Sequence, residues 1–212
     1  MRKYLLVVLL SATLASIASG QDQASGGGFF TLINTVPKSG GFKCYVKNSK
    51  ETNMLTPVGG AADEVAGNGF STGLVQWSPA DGELVAEAPG RQPATIKSFI
   101  KPGETPLVIL KAKGSGSLDF SLLPKPADRN GGFYDAVNLT AQPEVELTVD
   151  GKKVRLPRGQ RVRLSKNKTL KYEVTGGPKD LLESIDDPSH VMVFYGDDNG
   201  KVRCMVVADY AM

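Results

Sequence analysis

Four carboxylates stand close together late in the chain, at Asp180, Glu183, Asp186 and Asp187. Paired acids are what glycoside hydrolysis needs, but only at a set separation across a cleft, which spacing along a chain does not supply. Acids in the first turn of a short helix and in the loop after it are also ordinary surface. The one histidine, His190, has no second histidine to complete a zinc site or a triad. Asp197-Asp198-Asn199-Gly200 has the composition of a calcium loop but lacks the alternating ligands and the distant bidentate glutamate, so it reads as a β-turn. The expectation is therefore no catalytic residue, no metal site and no cofactor.

A stronger signal lies upstream. From Lys152 to Lys171 there are nine basic residues and no acid. Strand alternation turns Val154, Leu156, Val162 and Leu164 inward, which predicts one outer face shared by Lys153, Arg155, Arg161 and Arg163. A positive sheet face is a platform for a polyanion, such as an acidic polysaccharide, an anionic lipid surface or an acidic partner. The same face would also serve simply to discourage edge pairing.

The elements that position these residues begin after a signal peptide. Met1-Arg2-Lys3 is basic, Leu5 to Leu10 is apolar, and Ala18-Ser19-Gly20 sets small residues before a cut at Gln21. Residues 1–20 read as that signal and 21–28 as a flexible lead-in. The signal carries Arg2 and Lys3 and no acid, so its removal leaves 23 basic residues against 22 acidic, a net +1. A bulk affinity for nucleic acid is not indicated. No later apolar run approaches the length of a membrane span. The expected location is the periplasm or the extracellular space.

The mature sequence states one programme twice. Leu32-Ile33-Asn34-Thr35 answers Ala136-Val137-Asn138-Leu139 at an offset of 104, and Leu107 to Leu110 answers Val191 to Phe194 at an offset of 84. The second copy is shorter in its middle, mostly opposite the loose segment after Pro57. Many short alternating strands with Gly, Pro and Asn turns predict an all-β fold of two tandem β-sandwich-like modules from an internal duplication. The modules span 29–123 and 133–212, joined by a Pro-then-Gly linker over 124–132. Asp150-Gly151 is the strongest hairpin signal and joins Val145-Leu147-Val149 to Val154-Leu156. A further hairpin is expected between Leu74–Trp77 and Glu83–Ala86, and a short helix over Pro178–Ile185. Two glycosylation sequons occur, at Asn138-Leu139-Thr140 and Asn167-Lys168-Thr169.

Export argues for a disulfide between Cys44 and Cys204, whereas phase argues against it. Cys44 shares a strand face with Phe42 and Val46, and Cys204 shares one with Val202 and Val206. Each thiol should thus point into its own module's core, unpaired.

Leu32-Ile33-Asn34, Ala136-Val137-Asn138 and the hairpin at Val149-Asp150-Gly151-Lys152, in an exported chain of this size, resemble the periplasmic alginate O-acetylation accessory proteins (AlgF-like) and other exported β-sandwich repeat proteins. The chain departs from them in Cys44, Cys204 and the insert after Pro57. The resemblance implies a non-enzymatic adaptor in exopolysaccharide modification, with envelope proteins or an anionic polysaccharide as partners. A carbohydrate-active enzyme built on the Asp180–Asp187 acids, and a structural surface component, are the alternatives.

Overall fold

The computed structural model describes residues 28–36, 43–47, 52–55, 70–77, 82–97, 100, 104–114, 116–123, 134–183, 189–197 and 199–209. Among them the fold is all-β, with no helix. The signal at 1–20, the segment after Pro57 up to Gly69 and the linker at 124–132 lie outside the described residues. Of the expected lead-in, Gly28 already belongs to the first strand.

The first half of the chain forms β1 (Gly28–Asn34), β2 (Lys43–Lys47), β3 (Thr52–Met54), β4 (Phe70–Ser71), β5 (Val75–Trp77), β6 (Glu83–Glu87), β7 (Ala94–Lys97), β8 (Leu107–Lys113) and β9 (Ser117–Leu122). The second forms β10 (Tyr134–Asn138), β11 (Glu144–Val149), β12 (Lys152–Pro157), β13 (Arg161–Ser165), β14 (Thr169–Val174), β15 (Lys179–Glu183), β16 (Ser189–Gly196) and β17 (Val202–Asp209). Sheet I runs β4-β1-β8-β9, with β5 also paired to β1, and sheet II runs β3-β2-β6-β7. Sheet III runs β13-β10-β16-β17 and sheet IV runs β12-β11-β14-β15.

The two halves share one strand order. In each, the opening strand lies parallel to the penultimate one, with Asn34 opposite Leu110 and Asn138 opposite Phe194. The last strand then closes antiparallel, as β9 on β8 and β17 on β16. The second of these hairpins closes at the β-turn expected around Asn199-Gly200, and Gly114 and Gly200, between the paired strands, both have positive φ. At Asp150-Gly151 both residues have positive φ, 46° and 80°, as a two-residue turn matched to strand twist requires. It sets Val149 opposite Lys152 and so fixes the whole β11–β12 register.

Alternation fills three cores. Phe30, Leu32, Cys44, Val46, Trp77, Leu84, Val108 and Leu110 pack between sheets I and II. Tyr134, Ala136, Leu147, Leu156, Leu170, Tyr172, Met192 and Phe194 pack between sheets III and IV. The opposite faces of β1, β8, β10 and β16 are buried as well, in a third cluster of Ile33, Leu107, Ile109, Leu123, Val137, Val191, Val193 and Val207. At the offsets of 104 and 84 these eight are four equivalent pairs, Ile33 with Val137, Leu107 with Val191, Ile109 with Val193 and Leu123 with Val207. The modules therefore meet through the same patch on each, as the subunits of a two-fold dimer do. This is why Leu107–Leu110 and Val191–Phe194 are unbroken apolar runs: strands buried on both faces have no polar side.

Two expectations about local structure are corrected. Leu74–Trp77 and Glu83–Ala86 do not form a hairpin, because β5 pairs with β1 in sheet I while β6 pairs with β2 and β7 in sheet II. Each strand follows its own apolar face into a separate sheet, and Val75 and Trp77 enter the core beside Phe30. Residues 179–183 of the expected helix are the edge strand β15, running antiparallel to β14. Five residues are too few to hold a helix in isolation, whereas pairing with β14 satisfies their backbone and seats Leu182 against the core.

The cysteines follow the phase argument. Cys44 is buried in the first core, and Cys204 is half-buried against the second. Both are free, and burial pushes each thiol up to about 12. A thiol reagent at mildly alkaline pH should find neither in the folded protein and both in denaturant without reductant. Fewer than two reactive thiols in denaturant would mean a bridge and would contradict the two separate cores.

Candidate functional site

The four basic residues expected on one face lie on two sheets, which corrects that expectation. Lys153 and Arg155 are on β12 in sheet IV, and Arg161 and Arg163 are on β13 in sheet III. The chain changes sheets between them, at Arg158-Gly159-Gln160. There the Gly159 N–H donates to the Asn138 carbonyl at 2.8 Å, and Asn138 Nδ2 donates to the Leu156 carbonyl at 3.2 Å.

On β13 the arginines are partners of carboxylates rather than a free surface. Arg161 Nε donates to Asp135 Oδ2 at 2.7 Å, and its Nη2 donates to Asp209. Arg163 Nε donates to the other oxygen of Asp135. The side chains of Arg161, Asp135 and Asp209 are only 5 %, 3 % and 4 % exposed. Asp135 follows the same alternation as Val137, so this ionic cluster lies on the side of sheet III that carries the third core. The outward side of this strand is the face turned toward the other module.

Lys153 and Arg155 do face solvent, with side chains 75 % and 72 % exposed. Lys153 Nζ lies 3.1 Å from Glu146, and Arg155 Nε lies 3.6 Å from Glu144. Beyond them β14 contributes exposed Lys171 and Glu173, and β15 contributes exposed Lys179 and Glu183. The outer face of sheet IV is thus a field of cations and anions mixed at strand spacing. Glu144, Glu146, Asp135 and Asp209 are the residues that composition alone passes over, because they lie outside the basic stretch.

The other groups with chemical potential are tied into the fold. Asp180 Oδ1 accepts the Leu181 N–H at 2.8 Å, and Asp180 and Glu183 stand three positions apart on the strand, an odd spacing that puts them on opposite sides. Asp186 and Asp187 lie outside the described residues. Asp197 Oδ1 accepts the N–H groups of Asn199 and Lys201, and its Oδ2 accepts from Arg203 Nε at 2.9 Å, which is the hydrogen bonding of a turn. Among the described residues no cluster of three or more His, Cys, Asp or Glu is placed to hold a metal ion.

His190 lies across from Tyr134, with ring centroids 5.7 Å apart, and its buried Nδ1 has no hydrogen-bond partner among the described residues. Burial lowers its pKa. The folded state therefore favours the neutral ring, while the unfolded chain protonates near pH 6.5. Stability should be full above about pH 6.5 and fall as pH drops toward the lower folded value. His190→Phe should flatten that part of a stability-versus-pH curve, and an unchanged slope would assign the protons elsewhere.

Among the described residues no helix is long and apolar enough to cross a membrane. No protein-family model and no curated protein matches the chain.

Proposed function

We propose that this chain is an exported, non-catalytic adaptor of the cell envelope that contacts a partner protein through the outer face of sheet IV. The observation that carries this is the mixed charge of that face. Lys153 and Arg155 stand beside Glu146 and Glu144, and exposed Lys171, Glu173, Lys179 and Glu183 continue the pattern. A surface of alternating sign suits a partner with its own alternating charges, since complementary patterns give register and exclude wrong partners. The resemblance to alginate O-acetylation accessory proteins suggests that the partner belongs to exopolysaccharide modification. The shared strand order is what an internal duplication leaves, and we take the two modules to have arisen that way.

Direct binding of an anionic polysaccharide is the second reading, favoured by the exposed side chains of Lys152, Lys153, Arg155, Arg158 and Lys166. One pair of substitutions separates the two. Glu144→Gln with Glu146→Gln should strengthen salt-sensitive retention on alginate or heparin resin if a polyanion is the ligand. The adaptor reading expects retention to stay weak, and expects crosslinking to the envelope partner to be lost on replacing either the acids or Lys153 and Arg155. Crosslinking that survives both replacements would reject sheet IV as the contact face.

A further inference from the structure

The strand that ends sheet IV is complementary to itself in reverse. Lys171 N–H donates to Asp150 Oδ1 at 3.0 Å, and the Lys171 carbonyl accepts the Asp150 N–H at 2.9 Å, so both main-chain groups of Lys171 point toward β11. Lys171 stands opposite Leu181 in the β14–β15 ladder. That pair is then of the non-hydrogen-bonded kind, and the N–H and C=O groups of Lys179, Leu181 and Glu183 point away from β14 to the free edge. The side chains of the same three residues are exposed on the outer face, and Leu181 at 54 % is the most exposed large apolar residue of the described protein. Neither Lys179 nor Glu183 has an ion-pair partner among the described residues.

We propose that β15 is a docking edge for a second copy of this chain, the two strands pairing antiparallel about Leu181. In that register Leu181 meets Leu181 of the second copy, and Lys179 meets Glu183 of the second copy on each side of the two-fold axis. The outward N–H and C=O groups of all three residues then form hydrogen-bonded pairs, and two four-stranded sheets become one of eight. The cross-strand row Glu173, Lys179, Glu183 of the second copy alternates in sign throughout. Natural edge strands are guarded by charges that repel a like strand. Here the order cation, leucine, anion attracts it, and this selects a second copy over an unrelated peptide. The guard is Asp180, whose carboxylate occupies the Leu181 N–H and must swing aside. A five-residue edge also buries less than a standard stable interface, so the dimer should be reversible and concentration-dependent. The inference stands independently of what else binds sheet IV.

Sedimentation velocity of the chain without its signal, from micromolar to near-millimolar concentration, tests it. Dimer should grow with concentration. Lys179→Glu and Glu183→Lys alone should each weaken it about tenfold, since two like-charge pairs then face each other across the axis. The double exchange Lys179→Glu with Glu183→Lys should restore it, and Asp180→Ala should strengthen it. Thermal midpoints check that these exposed substitutions leave the fold intact. A monomer at every concentration would overturn the proposal, as would a dimer indifferent to the single exchanges or not restored by the double one.

Discussion

Arg161→Ala should cost about 3–5 kcal/mol of stability, a large part of the 5–15 kcal/mol that typically holds a domain together. Arg155→Ala, in a strand just before it, should cost little. The difference follows from solvent. Arg161 is 5 % exposed and joins two carboxylates that are themselves buried, Asp135 and Asp209. Truncating it leaves Asp209 without the guanidinium that faces it and Asp135 with Arg163 alone. Arg155 and Glu144 are both well exposed and 3.6 Å apart, a pairing that water and salt largely screen. Urea unfolding at neutral pH reads both. Replacing Arg161, Arg163, Asp135 and Asp209 together with apolar residues of similar size should recover much of the loss, because the penalty lies in stranded charge rather than in a missing attraction, and Arg163 also pairs with Asp135. Equal shifts for Arg161→Ala and Arg155→Ala would show that the cluster is not buried in solution.

The contrast between these two arginines marks where the sequence stops being legible. Alternation along β12 and β13 states which side chains share a side of their strand, and the cores follow it. It does not state which sheet a strand joins. Lys152–Pro157 and Arg161–Ser165 are consecutive, yet three residues between them carry the chain from sheet IV to sheet III. An outward residue on sheet IV meets water, while an outward residue on sheet III meets the other module. The unbroken apolar runs at Leu107–Leu110 and Val191–Phe194 hold part of that information, since a strand without a polar face must be covered twice. The β11–β12 pairing is fully readable. A two-residue turn at Asp150-Gly151 puts Glu146 opposite Arg155, so the neutralised face of sheet IV is written in the spacing. Pairing across long sequence separations is not readable in that way. Lys179–Glu183 has leucines and charges that suit a helix, and its partner β14 overrides that local preference. Asp209 lies 48 residues from Arg161, and no local pattern links them.

The equivalent asparagines yield the other large effect. Asn138→Ala should destabilise the protein by about 2–4 kcal/mol, as two or more buried polar groups lose their partners. Asn138 is fully buried at the end of β10. Its Oδ1 accepts the Thr140 N–H at 2.9 Å and the Thr140 hydroxyl at 2.7 Å, closing an Asx turn. Its Nδ2 donates to the carbonyls of Gln142 and Leu156, which holds the end of β12 in sheet IV against β10 in sheet III. Asn34 makes the matching turn in the first module, where its Oδ1 accepts the Val36 N–H at 2.9 Å. Asn138→Asp should cost more than alanine, because a carboxylate would face the two carbonyls that Nδ2 now satisfies. The same geometry decides the sequons. Asn167 is exposed in the turn after β13, whereas a glycan on Asn138 would occupy the junction of two sheets. Expressed through a eukaryotic secretory route, the folded protein should carry a glycan at Asn167 alone, and Asn167→Gln should remove it. Intact mass reads this directly. A folded species glycosylated at Asn138, or an Asn138→Ala variant as stable as the parent, would contradict the role of this side chain as the corner where the chain passes between sheets.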